Sequence, residues 1–157
     1  MSMRQSERRM SPVTGGAADH LATATLTIET TGSGFTDITA EVRRFVQAAA
    51  ACDGFVLMFA RHTSASLTIQ ENADPAVLTD LAAALDRLAP RGGWSHDTEG
   101  PDDMPGHVKT MLTSVCLHVP VARGALALGA WQSIYLIEHR AQPHRREVVM
   151  QFVGSRI

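Results

Sequence analysis

GFVLMFARHTSASLTIQENADP, residues 54–75, is the stretch on which the reading of this chain turns. Gly54–Ala60 is an unbroken apolar run and reads as a buried strand, reaching Arg61. Ser66–Gln70 reads as the next strand, with Leu67 and Ile69 facing inward. Asp74-Pro75 then opens a helix: a carboxylate able to cap, followed by proline at the first helical position. Between these elements lie an imidazole, several hydroxyls, two carboxylates and an amide. Polar groups this dense are seldom needed only to close a turn, and loops held by a rigid scaffold are where binding residues concentrate.

Upstream, His20–Thr31 alternates and is rich in β-branched residues, which predicts a strand. Gly32-Ser33-Gly34 is a turn. A helix follows, starting near Asp37 or Thr39, with Ile38, Val42, Phe45, Val46 and Ala49 on one face. Downstream, Val77, Leu78, Leu81, Leu85 and Leu88 form the expected buried stripe of the Asp74-Pro75 helix, which Pro90–Gly93 ends. Trp94–Pro105 has no apolar period and reads as a loop; Gly106–Thr113 reads as a short helix. Val115–Val119, Ala125–Leu128, Trp131–His139 and Glu147–Val153 read as strands, with turns at Arg123-Gly124 and Gln142–Arg145. The order of elements predicts an α+β fold: a single compact domain over residues 20–157, mostly antiparallel sheet with two main helices. Residues 1–19 read as a disordered tail.

The 157 residues suffice for one domain with a real core, and 45% hydrophobic with 19% charged residues is a folding composition. A net charge of −2 gives no general attraction to nucleic acid or an acidic membrane. No apolar run reaches membrane-spanning length, and the N-terminus has no apolar signal core. Cys52 and Cys116 stand far apart, with neither a disulfide framework nor a CxxC metal site. A cytoplasmic protein is expected. The hydrophobic C-terminal strands predict further burial between subunits.

A second polar stretch, Trp94–His107, offers His96 and His107 together with Asp97, Glu99, Asp102 and Asp103. The expectation is that it meets the Arg61–Pro75 stretch in one site. His62, His96 and His107 are the first candidates for a divalent metal, since three neutral imidazoles leave an open position for water or substrate. Their spacing matches no HExxH pattern, and loop histidines bonding backbone are the competing reading. The four carboxylates repel one another unless a cation or arginines answer them, and Mg²⁺ suits such oxygen ligands. Glu71 and Asn72 have no capping duty and are free to reach the site. A serine nucleophile beside His62 is disfavoured, because there is no G-x-S-x-G elbow. Trp131 and Gln132 suit stacking on a flat ring and bonding its edge; a core tryptophan is the plainer alternative. Arg140, Arg145 and Arg146 surround a turn and could grip phosphate or simply be solvated.

The motifs His62-Thr63-Ser64-Ala65, Glu71-Asn72-Ala73-Asp74-Pro75, Asp102-Asp103-Met104-Pro105 with His107, Gly129-x-Trp131-Gln132 and Glu138-His139-Arg140, with Pro120, Gly124 and the final Val153-Gly154, resemble the YjbQ-like family. This is also called the secondary thiamine-phosphate synthase family, and the resemblance spans about residues 20–155. It implies a compact α+β subunit, a homotrimer, and a polar site containing a divalent metal, Zn or Mg. His62, His96 and His107 correspond to the metal-binding histidines. His62, Glu71, Asp103 and Glu138 take the catalytic positions. Thr63, Ser64, Asn72, Lys109, Trp131, Gln132, His139 and Arg140 take the substrate-binding ones. The implied activity is weak thiamine-phosphate synthesis: hydroxymethylpyrimidine diphosphate loses pyrophosphate to the nitrogen of a thiazole phosphate. Arg140, with Arg145 or Lys109, would hold phosphate oxygens of that phosphorylated small-molecule substrate. Ala130 departs from the threonine common before Trp131, and Gly106 is a further departure. A metal-dependent hydrolase, or a non-catalytic trimeric module holding a metal or small anion, are the alternatives.

Overall fold

In the computed structural model, which describes residues 9–157, alternation and apolar runs build two antiparallel sheets. The strands and helices run β1 (His20–Glu29), β2 (Gly34–Asp37), α1 (Thr39–Ala48), β3 (Ala51–Ala60), β4 (Ala65–Glu71) and α2 (Pro75–Leu88). They continue α3 (Asp103–Leu112), β5 (Cys116–Ala122), β6 (Ala125–Leu126), β7 (Gln132–Glu138) and β8 (Arg145–Arg156). The larger sheet has the order β1-β8-β3-β5-β6 and the smaller one β2-β7-β4. Residues 9–19 carry no helix or strand. The expected tail otherwise falls on residues 1–8, outside the described residues.

The core lies between the two sheets and α1. Val56, Met58, Val148 and Phe152 come from the large sheet, Leu67, Ile134 and Leu136 from the small one, and Ile38, Val42 and Val46 from the α1 stripe. The Asp37 carboxylate accepts the Thr39 N–H at 2.8 Å at the mouth of α1, and the Thr39 hydroxyl accepts the Ile134 N–H at 2.8 Å. Both residues expected at that helix start therefore serve it. Burying a β-sheet edge this way keeps its backbone groups satisfied.

Three features differ from the sequence reading. First, β2 replaces part of what reads as a turn, because Gly34–Asp37 pairs with Tyr135–Glu138 of β7. Second, α2 begins as expected, with the Asp74 carboxylate accepting from the Ala76 N–H at 2.8 Å. Its leucine stripe, however, is only half-buried, and Leu88 is 65% exposed. The helix lies against β4 and α3 on the outside, not between the sheets. Third, α3 starts at Asp103, three residues earlier than the pattern suggests, so there are three helices of similar weight. Pro105 is tolerated there because the first-turn N–H groups have no helical partner to lose.

The chain passes from the large sheet to the small one at Arg61–Ser64, and back at His139–His144. These crossings lie side by side: the His139 N–H donates to the Ser64 carbonyl at 3.2 Å. Gly106 lets α3 settle onto them, since a Cβ there would stand 3.0 Å from Ser64 Cβ. The outer face of the large sheet stays apolar in its middle, with Phe55 opposite Val153 and Phe59 opposite Val149. Among the described residues, no helix is long and apolar enough to cross a membrane.

Candidate metal centre

Asp103 and His107 stand one turn apart on α3, so both project from one face. His96, from the preceding loop, joins them: its Nε2 lies 2.8 Å from Asp103 Oδ2, and His107 Nε2 lies 3.4 Å from the same oxygen. The three ligand atoms all fall within 4.8 Å of one another. Asp103 is buried while the imidazoles are open on one side. Its other oxygen is held by Arg140, whose Nη2 also donates to the Glu99 carbonyl at 2.6 Å. Asp102, next along, accepts the Ala141 N–H at 2.7 Å and lies 3.4 Å from Arg140 Nε. Burial pushes the Asp102 carboxyl up, but the Ala141 N–H and the Arg140 charge outweigh it and hold it below the usual range.

Backbone groups set the neutral tautomers of His107 and His62. The Nδ1 of His107 is 3.0 Å from the Thr63 carbonyl, which only accepts, so Nδ1 carries a proton and, in the neutral ring, Nε2 keeps its lone pair. That is the arrangement of a metal-binding imidazole oriented by a backbone carbonyl. His62 is the reverse. Its Nδ1 lies 3.0 Å from the Ser64 N–H, which only donates, and 3.1 Å from the Ser64 hydroxyl. The neutral ring thus carries its proton on Nε2. Burial on its packed side, then the Arg146 charge, lower its pKa and favour that neutral ring. The structure therefore assembles His96 and His107 with Asp103, and sets His62 beside them as a donor.

Behind His62 lies a buried network that joins Glu138 and His139, expected in catalytic and substrate-binding positions, to Arg146 and Ser66. Arg146, expected either to grip phosphate or to lie solvated at a turn, instead grips Glu138 with two bonds of 2.7 Å, from Nε and Nη2. Glu138 also accepts from the Thr30 hydroxyl and the Arg140 N–H, each at 3.0 Å. Burial alone would raise its pKa; the Arg146 bonds and charge and these two donors lower it instead. With its oxygens so engaged, Glu138 braces the crossing and offers little to a substrate. His139 is buried too, its Nε2 2.8 Å from the Ser66 hydroxyl, which in turn receives the Thr113 hydroxyl at 2.7 Å. Burial, then the Lys109 charge, drop its pKa to about 4. The signal for Arg146 lay in strand register: it falls on the inward side of β8, in step with Val148 and Met150.

The other expected residues are placed apart. Lys109 points away from the metal-ligand face of α3 and pairs with Asp86 of α2 at 2.5 Å. Glu71, Asn72, Trp131 and Gln132 gather at the far end of β4 and β7, where Glu71 pairs with Gln132. Asn72 donates to the Ser133 hydroxyl at 3.0 Å, Gln132 accepts the Gly129 N–H at 2.8 Å, and Trp131 is 66% exposed. The seven residues of β4 separate this group from Ser64 by about 20 Å. Of the two polar stretches, then, only the first part of Arg61–Pro75 meets Trp94–His107.

The profile of the YjbQ-like UPF0047 proteins matches residues 24–155. The chain belongs to the YjbQ-like family. It is similar to the UPF0047 protein sll1880 of Synechocystis, 46% identical over 132 residues, covering 83% of this chain and 90% of that protein. The UPF0047 protein YjbQ of Escherichia coli O157:H7 is 36% identical over 133 residues, covering 83% and 96%. Among solved structures, the conserved hypothetical protein TT1486 of Thermus thermophilus aligns with a TM-score of 0.69 and 39% identity over 80% of this chain and 97% of that one. A YjbQ/UPF0047 protein of Clostridium acetobutylicum aligns with a TM-score of 0.77 and 33% identity, covering 82% and 98%. The YjbQ-like fold thus accounts for the α+β architecture.

Proposed function

We propose that the chain is an enzyme built on one divalent metal held by His96, Asp103 and His107. The observation that carries this is the convergence of their three ligand atoms within 4.8 Å, with Asp103 oriented by Arg140 and His107 by the Thr63 carbonyl. Of Zn and Mg, two imidazoles and one carboxylate favour Zn or a similar transition ion, since Mg prefers oxygen alone. Such an ion, when bound, supplies a Lewis acid with positions left open for substrate oxygens.

The chain's own residues then orient and donate. Arg140 holds Asp103 in place and balances its charge, and Glu138 with Arg146 braces the crossing that carries His62 and Ser64. For the substrate, we carry forward the family resemblance: a phosphorylated small molecule, with thiamine-phosphate formation as the reaction to test first. Neutralising a departing pyrophosphate suits a metal. Lys109 and Arg140 are engaged with carboxylates, however, and Trp131 is distant, so the support rests on the metal ligands. A hydrolase is the second reading, since a metal-activated water needs no second organic substrate beside the three ligands. We further propose a homotrimer; the apolar outer face of the large sheet, with Phe55 exposed, supports self-association.

Elemental analysis of purified protein with His96→Ala, Asp103→Asn, His107→Ala and His62→Gln is the test. About one transition ion per chain is expected in the parent and in His62→Gln, and a loss of at least about 100-fold in affinity in the other three. Equal metal content in all five would end this reading. Turnover of hydroxymethylpyrimidine diphosphate with thiazole phosphate by the loaded parent, against release of inorganic phosphate from phosphoesters, separates transferase from hydrolase.

A further inference from the structure

His62 and His107 share one further feature: both line an open groove of about 500 Å³ between the β3–β4 crossing and the outer side of α3. Thr63 lies with them at its polar end. The rest of the wall is Phe59, Ala60, Met111 and Val115 together with Arg61 and Thr110, so the groove is mostly apolar with one cationic side chain in its lining. Met111 is 87% exposed, with no protein partner to explain a large apolar side chain one turn beyond His107. A groove of this size, apolar along its length with polar groups converging at one point, has the form of a small-molecule site.

The tautomers set what that polar end recognises. With its Nδ1 bonded to the Thr63 carbonyl, the neutral His107 ring has its lone pair on the Asp103 side, where the ion would sit, and the neutral His62 ring presents an N–H, because the Ser64 N–H occupies its other nitrogen. A head group that suits both carries one oxygen for the ligand cluster and a second oxygen to accept from His62. We propose that the groove takes a small molecule with an apolar or flat ring body along Phe59, Met111 and Val115, and an anionic oxygen-rich head at His107 and His62. His62 is the hydrogen-bond donor to that head, not a metal ligand. This rests on the metal reading above and specifies its substrate class.

The probes are benzohydroxamate and acetohydroxamate, which share a head group and differ in the body, titrated into Co²⁺-loaded protein by its visible absorption. Each affinity is taken relative to that for free Co²⁺. The ring compound is expected to bind at least about tenfold more tightly, from apolar area buried in the groove. A Phe59→Ser/Met111→Ser variant, both sites being exposed, is expected to keep its metal and lose that preference. His62→Gln is expected to keep its metal and weaken both probes alike. In ¹⁵N-labelled protein, the His62 nitrogen shifts should report the proton on Nε2.

Equal affinity for the two probes, or a preference that survives Phe59→Ser/Met111→Ser, overturns the proposal with the metal reading intact. So does exclusion of both probes by a second copy lying over the groove, revealed if Phe59→Ser/Met111→Ser dissociates the assembly. Failure of the parent to take up Co²⁺ removes the metal reading and this one with it.

Discussion

At one end of the small sheet, Ser64, Ser66, Glu138 and His139 are each no more than 4% exposed, and their side chains are bonded to one another or to Arg146, Arg140, Thr30 and Thr113. At the other end, about 20 Å away along β4, Glu71 and Gln132 are exposed and Trp131 stands largely in solvent. The same two strands make both ends, and both are rich in polar side chains. What differs is cover: α3 and the two crossings lie over the first end, whereas at the second α2 packs against β4 and leaves Glu71, Gln132 and Trp131 exposed. Polar residues under cover must be satisfied and oriented, and so become a scaffold for a site. Without cover they remain individually adjustable.

The harshest test of this contrast is Arg146→Met. It would leave the Glu138 carboxylate buried and unpaired, and a loss of about 3–5 kcal/mol in urea unfolding is expected. The double change Arg146→Met/Glu138→Leu should recover much of that. A single-variant loss under about 1 kcal/mol would mean that the covered end is not the rigid one.

Acid should find the covered end first. The folded His139 pKa of about 4 lies below its ordinary 6.5, so between these values the unfolded chain binds the extra proton. Stability is therefore full above pH 6.5 and falls as pH drops towards 4, by roughly 3 kcal/mol over the window. Glu138, also held low, continues the loss further down, as its carboxylate is protonated. His139→Asn, compared by unfolding at pH 7 and pH 4.5, should flatten the first part of this slope. An unchanged slope would place the acid sensitivity elsewhere.

Gly106→Ala brings a methyl to 3.0 Å from Ser64 Cβ at the α3 contact. A loss of about 1–3 kcal/mol is expected by thermal unfolding, with weakened metal uptake as α3 lifts. At the open end, Trp131→Ala and Glu71→Gln should each change the stability of the isolated subunit by less than about 0.5 kcal/mol and leave metal uptake alone. A large effect there would show that a partner subunit or ligand covers it in solution.

Much of the fold was legible because it depends on local rules. The Gly54–Ala60 run, the α1 stripe and the Asp74-Pro75 cap each follow from side-chain periodicity or end chemistry acting within a few residues. The family motifs likewise pointed to the YjbQ-like architecture. His96 and His107 were legible as chemistry from their polar loop, and Asp103 was singled out with them, though as a catalytic residue and not as a fellow metal ligand. That grouping depends on α3 starting before Pro105, so that Asp103 and His107 share a face. The half-exposed α2 stripe and the pairing of β2 were decided by what lies across from them, which periodicity does not report. The proton on His62 and the burial of Arg146 belong to the same class. One is set by a backbone N–H at a crossing between sheets, the other by inward register in a strand whose end looks like a solvated turn. Local sequence determined the elements and the stock of reactive groups. Only the tertiary structure decided which of them share a site, because that depends on which elements cover which, and on donors and acceptors far apart in the chain.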